Sequence, residues 1–455
     1  MPLPGTAERP LRVAIVGSGP SGFFCAEPLL QAHTPCQVDL FERLPTPFGL
    51  VRGGVAPDHA RIRLAAKAFE PILNHPRFSF LGNVRVGADV SIAELGAHYE
   101  AIVFAYGAET DQRMAIPGED LAGSHTATSF VGWYNAHPDY RDAHFDLSQE
   151  VAVVVGAGNV AIDVARILAK SIDELQHTDM AQHALDALAA SKVKEIHLVA
   201  RRGPAQAKFT LQELKEMGRL AECEAVVDDA ELVLGSACEE EMKEWGTRRN
   251  VEVLRGFAEA PPQNKCKRLH FRFLLSPVEL RGRRRVESIT LEKNRLSGAP
   301  QEQEACGTGE TVELPCGLVF RSIGYRGLPM PGLPFDEAVG VIPNAAGRVV
   351  EQGRVLEGLY VAGWIKRGPS GVIGTNKPDS LVTAEQILAD CGSLRPCACP
   401  STAAVRELLT ARGVRVVDRA DWRRIDAAEI ARGKPLGKPR ERFTRVGEML
   451  AVLDG

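Results

Sequence analysis

The chain has no Cys-x-x-Cys pair, no charge excess and no long apolar run, and each lack removes a class of function. Its ten cysteines support neither a zinc ribbon nor a thioredoxin-type redox pair at their spacing. The closest two, Cys397 and Cys399, lie in a Pro-rich stretch that offers at most a weak metal site. Ordinary thiols in a reducing cytosol account for them, and no metal is expected. Lys plus Arg number 54 against 58 Asp plus Glu, a net charge of −4, so no basic field points to nucleic acid. The longest apolar runs are strand-sized, such as Val151–Val155, far below the ~20 residues that span a bilayer. The opening MPLPGTAERP is too short and Pro-rich for a targeting peptide, and a cytoplasmic protein is expected. The residues that are present, 45% hydrophobic and 25% charged, match a soluble globular chain and exclude a disordered scaffold. At about 150 residues per domain, this length predicts two or three domains.

Glycine is plentiful, and its placement organises the chain. Leu11–Val16 is a short apolar run that leads into Gly17-Ser-Gly19-Pro-Ser21-Gly22 and then a helical pattern from Phe23 to Leu30. Val151–Val155 leads into Gly156-Ala157-Gly158-Asn159-Val-Ala161 and a helix to about Leu168. Strand, glycine turn, helix is the context that a dinucleotide fingerprint requires. The first glycine turns the chain out of the strand, the second lets backbone approach a pyrophosphate, and the third lets helix and sheet pack closely. The helix N-terminus then offers free N–H groups to the phosphates. A single such motif is also met in ordinary Gly-rich βα turns; two in matching contexts argue for two nucleotides.

The end of the next strand separates the two turns. The strand Val38–Glu42 ends in a carboxylate about 20 residues past Gly22, where an acid binds ribose hydroxyls of FAD or NAD. The strand Glu195–Ala200 ends instead in Arg201-Arg202-Gly203. Two guanidinium groups there suit a ribose 2′-phosphate, so the second site is expected to prefer NADP(H), although an exposed Arg pair at a strand end has the same appearance.

Ala101–Gly107 and Cys316–Gly324 read as strands ending in glycine turns, and Gly358–Gly363 as a further strand. The expected architecture is α/β, with two Rossmann-like dinucleotide-binding domains and the second inserted into the first. The boundaries fall at 1–108, 109–324 and 325–455. Lys265–Arg285 alternates like strands with a charged face, and the last fifty residues read as a charged, partly helical tail.

Val13–Gly22, Pro47–Arg52, Gly54–His59, Gly156–Asp163, Arg201–Pro204 and Ala362–Gly371 together resemble the adrenodoxin reductase family, and within it the bacterial ferredoxin–NADP reductases. The resemblance runs from about residue 11 to the C-terminus. It implies a glutathione-reductase-like flavoprotein with FAD in the outer domain and NADP(H) in the inserted one. By motif position, FAD falls to Gly17, Gly19, Ser21, Gly22 and Glu42, with Leu50 and Val86 lining its site and Trp364, Gly371, Val372 and Ile373 near the isoalloxazine. NADP(H) falls to Gly156, Ala157, Gly158, Asn159, Arg201, Arg202, Glu213 and Gly371. His59 and Glu216 match residues near the nicotinamide and are the candidate catalytic groups. A loop histidine capping the next helix, or a solvated glutamate on a helix face, would look the same. The chain departs from the family pattern at Gly53, where relatives usually carry an aromatic residue.

The resemblance implies electron transfer between NADPH and ferredoxin, a separate acidic iron–sulfur protein, by hydride transfer to the flavin and then two single-electron steps. A diaphorase or oxidase acting on quinones or oxygen, and a slow redox sensor, share the same nucleotide sites. A flavin disulfide reductase would need a cysteine pair beside the flavin, and Cys25 and Cys36 straddle a helix. Oligomeric state is open, a monomer being compatible with the sequence.

Overall fold

A computed structural model describes residues 3–454, in two compact units: one built from the segments up to Thr110 and from Tyr325 onward, the other Asp111–Gly324. The first unit is organised by a seven-stranded sheet in the order Asn344–Ala345, Arg348–Glu351, Arg354–Val361, Ala101–Phe104, Leu11–Val16, Cys36–Glu42, Phe78–Gly82. The five strands from Arg354–Val361 to Phe78–Gly82 run parallel. Every residue of Leu11–Val16 is buried, as expected for a central parallel strand covered on both faces. The sequence order along the sheet reverses at this strand, so its C-terminal end, which carries the Gly17 turn, lies at the switch point where open α/β sheets bind ligands.

Arg12 is the one charged residue in that strand. It is buried, with its Nη2 2.7 Å from Asp39 Oδ2 on the neighbouring strand. The Tyr99 and Thr402 hydroxyls donate to the same oxygen at 2.7 and 2.8 Å. Removing either ion would leave the other buried alone, at a cost of about 3–5 kcal/mol.

The second unit holds a six-stranded sheet in the order Ser124–Thr126, Leu318–Arg321, Val151–Val155, Glu195–Val199, Lys267–Arg272, Cys223–Val227, all parallel. Here too the order reverses at the strand that precedes the glycine turn. A three-stranded antiparallel sheet, Leu275–Arg281, Ser288–Ser297 and Glu304–Pro315, accompanies it. An aromatic group of Phe130, Trp133, Phe145 and Phe320 fills one side of the core, with ring centroids about 5 Å apart along the chain of contacts.

The last fifty residues are not a tail. Trp422, Ile425, Phe443 and Met449 are buried in the core of the first unit. Val417 exchanges backbone hydrogen bonds with Gly82 at the edge of its sheet. The composition misleads here because the helix Arg419–Gly433 spaces a few apolar anchors among many arginines, and long cationic stems cover apolar surface while their heads stay in water.

Candidate functional sites

The first turn is held by backbone that admits no side chain. Gly17 has φ +110°, and a Cβ there would stand 2.6 Å from the Ala105 carbonyl oxygen. A Cβ at Gly22 would stand 2.1 Å from the Gly17 carbonyl oxygen. At Gly19 a Cβ would meet nothing within 4 Å, so the packing of the chain itself does not require glycine there. A ligand that must approach the backbone does. Gly19 is the N-cap of the helix Pro20–Gln31 and gives it no side-chain cap, which leaves the first-turn N–H groups for an anion. Ser21 is buried behind it, its hydroxyl 3.2 Å from Asn376 Oδ1.

Glu42 grips this turn. Its Oε2 accepts from the Ser18 N–H at 3.1 Å and the Ser18 hydroxyl at 2.6 Å, while Oε1 accepts from the Leu44 N–H. A carboxylate has about four acceptor positions, so the group that orients the turn keeps capacity for ribose hydroxyls. Leu50 is 40% exposed in the helix Gly49–Gly53. Val86 points the other way: its side chain is buried in an apolar cluster, so only its backbone is free to line a ligand.

The second turn repeats the first. Gly156 has φ +141°, with a would-be Cβ 2.2 Å from the Ser322 carbonyl oxygen, and Gly158, like Gly19, is open. Gly158 caps the helix Asn159–Ala169 without a side-chain bond. Asn159 Oδ1 accepts from the Thr210 N–H at 2.8 Å, and the Ala157 carbonyl accepts from the Lys208 N–H at 2.8 Å. These bonds dock the helix Leu211–Met217 onto the turn. At the end of the next strand, Arg201 is exposed and Arg202 half-buried, and neither guanidinium has a carboxylate partner among the described residues. Cations left without a protein counter-charge beside a phosphate-binding turn fit a second, dianionic phosphate.

Glu213 and Glu216 lie on one face of that helix, as their spacing predicts. Both turn toward Arg166, which is wholly buried: its Nη1 is 2.9 Å from Glu213 Oε2 and 3.8 Å from Glu216 Oε2, and its Nη2 2.6 Å from Asp163. Nothing in the sequence marks Arg166, because an arginine in an apolar helix looks like a surface residue until its partners are known. His59 is buried at the start of the short helix Ala60–Arg63. Its ring makes no capping bond to that helix, which removes the capping account of this histidine.

Near the C-terminal half of the first unit, Gly363 at φ +76° leads into Trp364, whose indole N–H donates to the Ser370 carbonyl at 3.1 Å. Gly371 also has a positive φ, +78°. Asn376 then ties down the stretch Gly371–Ile373 by donating to the Val372 and Ile373 carbonyls. Its own Oδ1 accepts from Arg367 at 2.9 Å. Asp379 accepts from the Gly363 N–H at 2.7 Å and pairs with Lys366 at 2.9 Å. Asn376 and Asp379 are further candidate site residues that no motif flagged, and Arg367, inside the Ala362–Gly371 stretch, is a third that was not singled out. The polar run Asn-Lys-Pro-Asp opening the helix Asn376–Asp390 was the available signal.

Burial pushes the Cys25 and Cys36 thiols up to about 12. Neither is a thiolate near neutral pH, and neither can serve as a redox nucleophile.

Residues 11–203 match the model of the pyridine nucleotide-disulphide oxidoreductase family. Among curated proteins, the chain is 47% identical to the NADPH-ferredoxin reductase FprA of Mycobacterium tuberculosis, over 98% of this chain and 99% of that one. It is 42% identical to the mitochondrial NADPH:adrenodoxin oxidoreductase of Homo sapiens, over 98% and 93%. Among solved structures, Mycobacterium tuberculosis FprA in complex with NADPH superposes with a TM-score of 0.93 at 46% identity, covering 98% of this chain and all of that one.

Proposed function

The chain belongs to the family of NADPH-dependent ferredoxin and adrenodoxin reductases, and from that premise we propose how its residues carry the reaction. The protein is an FAD-dependent oxidoreductase that passes electrons between NADPH and an iron–sulfur carrier. FAD, when bound, supplies the conversion of a two-electron hydride into single-electron deliveries. The observation that carries the reading is the pair of matched glycine turns with opposite charges at the following strand ends, Glu42 in one and Arg201-Arg202 in the other.

On this reading the Gly17–Gly22 turn and the N-terminus of its helix hold the FAD pyrophosphate, and Glu42 accepts from the adenosine ribose. Leu50, the Val86 backbone, Trp364 and Gly371–Ile373 bound the ring system, with Asn376 fixing the last stretch. The Gly156–Asn159 turn holds the NADP(H) pyrophosphate and Arg201 with Arg202 takes the 2′-phosphate. Arg166 holds Glu213 and Glu216 in register. Hydride transfer needs no protein base, so His59 and Glu216 act by orienting the nicotinamide and setting local charge. The partner is a separate ferredoxin with an acidic face, and the protein works in the cytoplasm. No helix among the described residues is long and apolar enough to cross a membrane.

Steady-state kinetics test the reading. NADPH oxidation coupled to cytochrome c should accelerate several-fold on adding ferredoxin. A rate no higher than the ferredoxin-free diaphorase rate would exclude a ferredoxin reductase and favour a quinone or oxygen acceptor.

A further inference from the structure

The stretch Phe48–Gly54 lies directly on the Gly17–Gly22 turn. The Phe48 N–H donates to the Ser18 carbonyl at 3.1 Å, and a Cβ at Gly49 would stand 2.9 Å from the Gly19 Cα. Phe48 itself has φ +85°, a left-handed conformation that a side chain other than glycine adopts only where its surroundings impose it. Phe23 and Phe69 supply part of these surroundings, and the C-terminal segment supplies the rest. Arg52 reaches Glu429 at 2.5 Å, and Glu429 is wholly buried. The Arg52 guanidinium lies over the ring of Trp422 at 5.2 Å, and the Phe48 ring packs edge-on to the same indole at 6.1 Å. Glu429 Oε1 also accepts from the Phe443 N–H at 3.1 Å, and Arg442 donates to the Arg52 carbonyl. One buried carboxylate thus joins the helix Arg419–Gly433, the extended stretch beyond it and the segment that covers the phosphate turn.

We propose that Arg52 and Glu429 are a positioning pair for FAD: through them the C-terminal segment holds Phe48–Gly54 against the FAD turn and sets FAD affinity. Neither side chain bonds to the turn itself; their partners include each other, Trp422 and the Phe443 N–H. It acts by keeping Gly49 and Leu50 at the height the turn requires, which a flexible segment would reach only part of the time. The inference rests on the reading of Gly17–Gly22 as the FAD turn.

The test is the dissociation constant for FAD, from the fluorescence released when the full-length holoprotein is diluted. Binding of 2′,5′-ADP serves as a control on the second unit. Wild-type protein that retains no FAD would refute the reading of the turn itself. If wild-type binds, Glu429→Gln and Arg52→Met should each raise the FAD dissociation constant at least 10-fold, with a blurred visible flavin spectrum and unchanged 2′,5′-ADP binding. The double variant should be no worse than the worse single one, because the two act as a unit. Arg52→Lys, which keeps the charge but loses the stacking on Trp422, should recover FAD binding in part, with a dissociation constant between those of wild type and Arg52→Met. Should Glu429→Gln fail to fold, Arg52→Met decides alone, since its side chain is partly exposed. FAD dissociation constants within twofold of wild type in the folded variants, with only a lower melting temperature, would overturn the positioning role and leave an ordinary structural pair.

Discussion

The two glycine turns use the same backbone and differ in what they carry. In each, the first glycine N–H donates at 2.8 Å to a carbonyl near the end of the adjacent parallel strand, Phe41 in one and Val199 in the other. In each, the second glycine is open, and the helix starts without a side-chain cap. They part at the third position, which is Gly22 in the first and Ala161, fully buried, in the second. They part again at the following strand end, an acid that grips the turn in one and two arginines without a carboxylate partner in the other. The shared part is what any pyrophosphate requires; on the proposed reading, the differing part selects the nucleotide.

The strongest way to break the comparison is to exchange the third positions. Gly22→Ala places a methyl 2.1 Å from a backbone carbonyl oxygen, a clash that no rotamer relieves, so the variant should purify colourless or raise the FAD dissociation constant by roughly 100-fold or more. Ala161→Gly should cost only about 1 kcal/mol of stability, the helix propensity difference, and leave NADPH KM near wild type. A Gly22→Ala protein that keeps its FAD would show that the first turn tolerates the packing of the second. An effect of the same order is expected from Arg201→Ala combined with Arg202→Ala. Two charge-assisted contacts at about 1.5–3 kcal/mol each predict a rise in KM for NADPH of roughly 10²–10⁴-fold and little change for NADH. Equal rises for both cofactors would mean that these arginines do not read the 2′-phosphate.

Much of this was legible in the sequence, because parallel strands buried on both faces read as unbroken apolar runs and glycines mark turns that backbone geometry dictates. Leu11–Val16 and Val151–Val155 appear with the expected limits. Arg166 and Glu429 were not legible. Each is a charged residue in a helix with one ion-pair partner 47 or more positions away, Glu213 for Arg166 and Arg52 for Glu429, and no local period encodes that pairing. The same holds for the contact of Asn376 with Ser21, 355 positions away. The C-terminal segment is obscured for the opposite reason: its arginines dominate the composition while a few scattered apolar side chains, among them Val417, Trp422, Ile425, Phe443, Met449 and Leu453, do the packing.

The mildest contrast separates the units by their histidines. In the second unit, burial pushes His125, His183 and His197 down to about 4. His197 is stacked 4.6 Å from His270, whose charge adds to the effect. Because the folded value lies below the ordinary 6.5, the unfolded chain binds more protons between about pH 6.5 and 4. Stability is therefore fully present above that window and falls as the pH drops through it. The first unit has no histidine driven so low among its described residues; His75 moves in the same direction from a half-exposed position. The second unit should accordingly lose hydrogen-exchange protection, corrected for intrinsic rates, before the first as pH is lowered from 6.5 to 4.5. His197→Gln should return on the order of 2 kcal/mol of that loss without altering FAD retention. Protection lost in parallel across both units, unchanged by His197→Gln, would assign the acid response to carboxylates common to the two.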